Sequence, residues 1–255
     1  MMSFLIGILA GLFGGLLGIG GGFVMIPLMV GLLKDGQHRA HGTSLAAMVF
    51  VGIMGSVPYV VKGSVDLLAS VLIASTAMIT AHAGARGANA LSEKRLRQSF
   101  GIFLLLVAGL MFVKPFLLSY SDYAVQGWGK VLVLLATGGL TGFLSGMMGV
   151  GGAVVMIPAM VLLAGIDQHS AQGSSLLAMI PAGIVGAWTH WRFGNIDRHL
   201  FKGLIPGVFL GATLGGVAAQ HLDEGLLRTV FGLLVLWTAF GFLRTSGHKD
   251  FHGEA

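Results

Sequence analysis

The chain has 255 residues, of which 55% are hydrophobic and only 10% are charged. Globular proteins carry about 25% charged residues, so this composition excludes a water-soluble domain and equally a disordered chain. The net charge of +5 comes without a nucleic-acid-binding motif, and the sequence has no cysteine, which excludes disulfides, thiolate metal sites and cysteine nucleophiles.

Apolar runs follow one another along the whole chain, and we predict that they are transmembrane helices. They are apolar on every face, whereas the strands of an outer-membrane barrel alternate apolar and polar residues. Residues 1–5 lack a basic region and a cleavage site, so we interpret them as the start of a membrane segment rather than a signal peptide. There are about eight segments: 2–33, 43–61, 66–90, 99–118, 130–164, 173–191, 201–220 and 226–244.

The first and fifth segments are too long to be single membrane helices. Each has more than 30 residues, which as one helix would measure over ~45 Å, against a hydrocarbon core of about 30 Å. Their centres are rich in glycine, which costs about 1 kcal/mol per residue relative to alanine in a helix. We therefore expect each of these two segments to break in its middle.

The sequence matches itself without a gap when its second half is laid on its first. In this match the glycine-rich run 18–22 falls on 149–153, and about a third of positions 11–105 are identical to their partners. Shared hydrophobicity does not explain why Pro, His, Asp and Glu also stay in register. The match predicts two homologous membrane repeats, 1–118 and 130–245, joined by a connecting loop, 119–129, and followed by a cytoplasmic tail, 246–255.

The distribution of Lys and Arg distinguishes two topologies. If the first and fifth segments each cross the membrane once, the two sides receive seven and eight of the 15 basic residues. If each folds back as a re-entrant helical hairpin, eleven lie on one side and four on the other, as the positive-inside rule requires. Each half then has three transmembrane helices, so the two repeats are inverted and both termini are cytoplasmic. Inverted repeats with interrupted helices are typical of secondary transporters with a midplane site.

The glycines at the two breaks can form an anion site. Unwound glycines expose successive backbone N–H groups, and the half-helix that follows adds the positive end of its dipole. The alternative is that these glycines serve only close helix packing. A Rossmann or P-loop interpretation is weak, because no soluble strand precedes the glycines and no Lys follows them. The candidate residues are Gly18, Gly20, Gly21, Gly22, Gly149, Gly151 and Gly152.

Two stretches carry a resemblance to a known family. The first is GLLGIGGGFVMIP at 15–27, followed by His38 and by Gly-Thr-Ser-Leu at 42–45; the second is 145–158, followed by His169 and by Gly-Ser-Ser-Leu at 173–176. Over nearly its whole length the chain resembles the TauE/SafE family of sulfite exporters, also called the TSUP (4-toluene sulfonate uptake permease) family. The resemblance implies a permease of the bacterial inner membrane for sulfite, sulfonates such as sulfoacetate, or related sulfur anions. Ala153 and Ser174 depart from the first-half pattern, which leaves the two half-sites chemically unequal.

Polar candidates also recur after each break. His38 and His169 can carry a coupling proton or pair with a substrate oxygen, and the hydroxyls can bind the substrate. The alternative is that the two His lie in connecting loops and that the hydroxyls cap the next helix. Three aromatic residues, Tyr59, Trp188 and Trp191, are predicted in an interfacial belt. The hydroxyl candidates are Thr43, Ser44, Ser174 and Ser175.

The sequence thus predicts an all-helical inner-membrane permease that moves a small sulfur oxyanion by alternating access. Its expected partners are that anion and the lipid bilayer, with no cofactor, metal or nucleic acid, and a homodimer is left open. The alternative function is an uncoupled anion channel or facilitator. A membrane-embedded enzyme or assembly factor is disfavoured, because the sequence offers no paired intramembrane carboxylates and no Ser-His-Asp constellation.

Overall fold

The computed structural model describes residues 1–87, 105, 108–109, 125–148 and 151–245. The predicted segment 99–118 lies outside the described residues except at 105 and 108–109, and so do residues 119–124 of the connecting loop and the tail 246–255. Within the described residues the secondary structure is entirely helical. The helices are α1 (Met2–Leu17), α2 (Gly22–Leu32), α3 (Gln37–Val61), α4 (Leu67–Gly87), α5 (Trp128–Met148), α6 (Ala153–Leu162), α7 (Gln168–Arg192), α8 (Arg198–Ala219) and α9 (Glu224–Thr245).

Four of the described helices, α3, α4, α5 and α8, are long and apolar enough to cross a membrane. The shorter apolar helices α1, α2 and α6 have 16, 11 and 10 residues, so none of them reaches alone across a core of about 30 Å. Many large apolar side chains are exposed on the surface, which fits contact with lipid rather than with water. Examples are Leu9, Val71, Leu132, Leu214 and Trp237. By length and composition the fold is that of a multi-pass helical membrane protein.

Two parallel helix pairs are packed through small residues. α1 lies along α8, and a methyl group added at Gly11 of α1 would be 2.8 Å from the backbone nitrogen of Ala212. α5 lies along α4, and a methyl group added at Gly142 of α5 would be 2.5 Å from Ala77 Cα. Such close backbone approach is how helices associate inside lipid, where burial of apolar side chains gives little driving force.

The helices α3 and α7 run antiparallel through the centre of the molecule. At one end of this pair, Asp197 N donates a hydrogen bond to Thr43 Oγ1 (2.9 Å). At the other end, Asp66 N donates to Ser174 Oγ (2.8 Å). Thr43 and Ser174 are equivalent positions of the sequence match, and so are Asp66 and Asp197. The same contact therefore occurs twice, each time between one half of the sequence match and the other.

These contacts define two ends of the bundle. The basic end holds the starts of α1, α3 and α8 together with the ends of α4 and α7. The opposite end holds the starts of α4, α5, α7 and α9. Because α1 and α3 both begin at the basic end, the chain returns between residues 17 and 37 to the end from which it started. The basic end carries Lys34, Arg39, Arg86, Arg192, Arg198 and Lys202, and the opposite end carries Lys62, Lys130 and Arg228.

Candidate functional site

Each glycine-rich centre interrupts a helix. Between α1 and α2, Gly18, Gly20 and Gly21 have φ values of 73°, 76° and 75°. Between α5 and α6, Gly151 has a φ of 77°, while Gly149 lies outside the described residues. An L-residue rarely adopts this left-handed conformation, whereas glycine does so without a steric penalty. The two interruptions therefore depend on glycine, and they are called here the first break (18–21) and the second break (151–152 in the part that the structure describes).

The two breaks approach each other at Met48, near the middle of α3. A methyl group added at Gly20 would lie 3.2 Å from Met48 Cε, and one added at Gly151 would lie 2.5 Å from the same atom and 3.3 Å from Ile19 O. The same methyl group at Gly20 would lie 2.7 Å from the sulfur of Met179, which is at the equivalent position of α7. Both methionines are at most 2% exposed. The breaks thus meet in the buried centre of the bundle, and the ends of two flexible thioether side chains lie beside their glycines.

Helix N-termini from both breaks converge on this centre. α2 begins at Gly22 and α6 at Ala153, and both begin in buried backbone. Among the described residues, the backbone N–H groups of 20–23 and 151–154 have no hydrogen-bond acceptor; the first donors of the two helices are Val24 N and Val155 N. Each helix also brings the positive end of its dipole to the centre. Free N–H donors and the positive end of a helix dipole are groups that bind anions, and each break brings both to the buried centre.

Carbonyl groups at the ends of α1 and α5 accept hydrogen bonds from two side chains that the sequence analysis did not assign to the site. The Tyr59 hydroxyl lies 3.0 Å from Gly15 O at the end of α1, and His190 Nε2 lies 3.2 Å from Gly146 O at the end of α5. Tyr59 is 0% exposed, so its predicted place in an interfacial belt is wrong. A phenol in the core needs a hydrogen-bond partner, and the free carbonyls at a helix end supply it.

The predicted hydroxyls divide into two groups. Ser175 Oγ donates to Gly18 O (2.7 Å), which ties α7 to the first break. Ser44 Oγ lies 3.3 Å from His41 O within its own helix. Thr43 accepts a hydrogen bond from the backbone N–H of Asp197, just before α8. Ser174 accepts one from the backbone N–H of Asp66, just before α4. Ser175 thus binds the first break directly, while Thr43 and Ser174 bind the residues that precede α8 and α4.

The predicted glycines also differ in what surrounds them. A methyl group added at Gly18 would lie 2.8 Å from Gln172 Cα, at Gly21 it would meet the Ala10 carbonyl, and at Gly152 it would meet Thr141. These glycines allow close approach of other elements, as in the packing alternative. Gly20 and Gly151 instead face the movable ends of methionine side chains, and Gly22 is the buried first residue of α2.

The two predicted histidines lie far from the breaks. His38 is exposed at the basic end, and His169 lies half-buried at the opposite end. Each is ten residues before its central methionine, which is about 15 Å along a helix. His169 Nε2 lies 3.0 Å from Ala219 O, and its Nδ1 lies 3.9 Å from Glu224 Oε1. Together with Asp167 these groups form a cluster that could hold a cation at the opposite end. The coupling role of both histidines stays a prediction.

Comparison with known proteins adds an independent observation. The family described as "Sulfite exporter TauE/SafE" matches residues 134–254. The probable membrane transporter protein YunE of Bacillus subtilis is 26% identical over 260 residues, covering 92% of this chain and 95% of its own. These matches confirm the resemblance to the TauE/SafE family.

Two further relatives come from an archaeon and a plant. The probable membrane transporter protein MJ0441 of Methanocaldococcus jannaschii is 29% identical over 204 residues, covering 78% of this chain and 74% of its own. The sulfite exporter TauE/SafE family protein 5 of Arabidopsis thaliana is 28% identical over 109 residues, covering 42% of this chain and 24% of its own. No solved structure is significantly similar to the chain.

Proposed function

We propose that the protein is a secondary transporter that binds a small sulfur-containing oxyanion between its two breaks. The observation that carries this proposal is the convergence of the buried N-termini of α2 and α6, whose N–H groups have no acceptor among the described residues. Two positive helix ends repel each other in a medium of low dielectric constant, so an anion between them would stabilise the arrangement. The names of the relatives add support for transport across a membrane.

The proposed mechanism is alternating access between two inverted repeats. The reciprocal hydrogen bonds of Thr43 and Ser174 support this symmetry, as do α3 and α7, which have 25 residues each and begin at equivalent positions, Gln37 and Gln168. The return of the chain to the basic end before α3 supports a re-entrant hairpin. In such transporters, one repeat rocks against the other around a fixed midplane site. Met48 and Met179 would then separate the site from either side in turn.

The proposed orientation places the basic end in the cytoplasm. Of the nine Lys and Arg residues whose side chains are described, six lie at that end and three at the opposite end, as the positive-inside rule requires. Cysteine labelling tests this, because the sequence has no native cysteine to react. Lys62→Cys and Phe193→Cys occupy equivalent, exposed positions at the ends of α3 and α7. An impermeant thiol reagent should label Lys62→Cys from outside intact cells and Phe193→Cys only after lysis; labelling of both from outside would contradict the inverted arrangement.

Transport assays in liposomes test the substrate class and the coupling. Sulfite, thiosulfate, sulfoacetate, taurine and a carboxylate such as acetate should be compared in protein-containing and empty liposomes, with and without a pH gradient. We expect uptake of a sulfur oxyanion that exceeds that of the carboxylate. A flux that never runs against the substrate gradient, whatever the pH gradient, would favour the alternative of a channel or facilitator.

A variant of His169 tests the proposed proton coupling. His169 lies at the opposite end, where the described Lys and Arg residues are few, so protonation of its imidazole would make this end more attractive to an incoming anion. If import is coupled to protons, His169→Gln should flatten the pH dependence of uptake, while His38→Gln, at the basic end, serves as the matched comparison. An unchanged pH profile in His169→Gln would remove His169 from the mechanism and favour export driven by the membrane potential.

A further inference from the structure

A row of residues leads along one face of α7 to the first break. Gln168, Gln172, Ser175 and Met179 follow at intervals of four, three and four residues, which places them on one face of the helix. At the inner end, Met179 contacts Gly20 and Ser175 donates to Gly18 O. One turn further out, the Gln172 backbone packs on Gly18. Gln168 lies another turn outward, so the row connects the opposite end of the bundle with the first break.

The two glutamines in this row are buried with unused hydrogen-bonding groups. Both are 0% exposed. Gln172 Oε1 lies 3.2 Å from the Tyr59 hydroxyl, but Gln172 Nε2 has no partner in the described part of the chain, and neither Nε2 nor Oε1 of Gln168 has one. Buried amides without partners are rare in folded proteins, because their desolvation is not repaid. Two such amides one helical turn apart point to a polar binding partner that the described chain does not supply.

A third amide extends the group towards the surface. Gln220 follows α8, next to the start of α7, where Ala219 O is 3.0 Å from His169 Nε2. Gln220 Nε2 is also buried and has no partner among the described residues. All three amide nitrogens are donors, and none carries a charge. Neutral N–H donors suit an oxyanion that must be bound and then released, since they attract its oxygens without forming an ion pair.

We propose that Gln168 and Gln172 form an oxyanion subsite between the opposite end of the bundle and the first break. The inference rests on the proposed transport of an anion and adds a route for it. The equivalent positions in the other repeat are Gln37 and His41. The route therefore has a neutral amide on one side of the centre where an ionisable imidazole stands on the other.

Cysteine accessibility tests whether the row is open to water and to anions. The variants Gln168→Cys and Gln172→Cys are compared with Leu176→Cys, an equally buried position of α7 whose side chain packs on Gly55 of α3. The purified full-length protein is treated in detergent with the anionic reagent sulfonatoethyl methanethiosulfonate and with its trimethylammonium analogue. Rates are referred to the exposed variant Phe193→Cys. We expect both glutamine positions to react at least ~10-fold faster than Leu176→Cys, with a preference for the anionic reagent.

A second measurement tests the donors themselves. Gln172→Glu is isosteric but replaces the N–H donors by a negative charge, and Gln172→Met removes them without a charge. Sulfite and sulfoacetate should raise the melting temperature of the wild-type protein, and both variants should lose roughly 10- to 100-fold in apparent affinity, as expected for lost hydrogen bonds to a charged ligand. Ser170→Ala, near the same end of α7, is the control and should keep wild-type affinity.

The outcomes separate this inference from the proposed function. If Gln168→Cys and Gln172→Cys react no faster than Leu176→Cys, the subsite is wrong whatever the protein transports. If they react but show no preference for the anionic reagent, or if Gln172→Glu binds sulfite as wild type does, the row is a water-filled space and not an oxyanion subsite. If the labelling pattern holds while neither anion stabilises the wild-type protein, the subsite stands and the sulfur-oxyanion substrate class fails.

Discussion

The ends of α1 and α5 occupy equivalent places in the two halves, and they are completed by different chemistry. Gly15 O lies 3.0 Å from the Tyr59 hydroxyl, and Gly146 O lies 3.2 Å from His190 Nε2. The two acceptors are equivalent positions of the sequence match, and so are the two donors. A helix that ends inside the protein needs a donor for its free carbonyls, and two unrelated side chains meet the same need. The helix end requires a hydrogen-bond donor, and either a phenol or an imidazole can supply it.

The two donors, Tyr59 and His190, also differ in their other contacts. Tyr59 also contacts Gln172 Oε1 at 3.2 Å, whereas His190 Nδ1 is buried without a partner among the described residues. The similar backbones thus carry polar groups of different kinds on the two sides of the centre. Two stretches of similar sequence thus share a backbone arrangement while the polar side chains around it differ.

The largest expected effect compares the residues that precede α2 and α6. Gly21 has a φ of 75° and Gly152 has a φ of −73°. Alanine at either position collides with a neighbour, the Ala10 carbonyl or Thr141, but only at Gly21 does the left-handed backbone add a cost of about 1–2 kcal/mol. Thermal unfolding in detergent should show Gly21→Ala melting below Gly152→Ala. Equal melting temperatures would mean that the two breaks do not differ in backbone strain.

The next effect concerns Tyr59 and His190, the hydrogen-bond donors at the ends of α1 and α5. Tyr59→Phe and His190→Leu each leave a buried carbonyl without its donor, at an expected cost of about 1–3 kcal/mol in unfolding free energy. His190→Gln keeps an N–H donor and should lose less than His190→Leu. Denaturant titration of the purified variants measures these losses. A Tyr59→Phe variant as stable as wild type would show that the hydroxyl does not complete the end of α1.

A smaller effect is expected where the two ends of the bundle use equivalent hydroxyls. Thr43→Val and Ser174→Ala each remove the acceptor of one aspartate N–H, for about 1 kcal/mol each. Because the two sites lie at opposite ends, the double variant should lose the sum of the single losses within about 0.5 kcal/mol. A clear departure from additivity in the melting or denaturant data would mean that the two ends are coupled in the folded state.

The smallest effect is expected from the ion pairs at the two ends. Arg39 pairs with Asp197 at 3.0 Å and Lys130 with Asp66 at 3.3 Å, and all four side chains are at least partly exposed. Exposed pairs contribute about 0–1 kcal/mol and weaken in salt. Arg39→Gln and Lys130→Gln should each shift the melting temperature only slightly, and less in high salt. A large, salt-independent loss would indicate that the pair holds the end of the bundle closed.

Much of the frame could be predicted because it depends on local chemistry. The expected breaks fall where glycines make a continuous helix unfavourable: α1 ends at Leu17 and α2 begins at Gly22. Gly18 and Gly21 allow close packing of other elements, as in the packing alternative. The sequence could not show this, because it does not tell whether a glycine faces a ligand or a neighbouring backbone. Tyr59 was misassigned for a related reason, since a tyrosine near a helix end suits an interface as well as a buried helix end.

By itself, the sequence determined the membrane class of the protein, the order of its apolar segments, and the glycine breaks, because these depend on composition and local conformational preference. Only the tertiary structure decided which groups meet: Met48 between the breaks, Tyr59 and His190 on the ends of helices, and the amides of Gln168 and Gln172 in the core. These contacts join residues that are distant in the chain. They follow from how the helices pack against one another, and no local pattern along the chain specifies that packing.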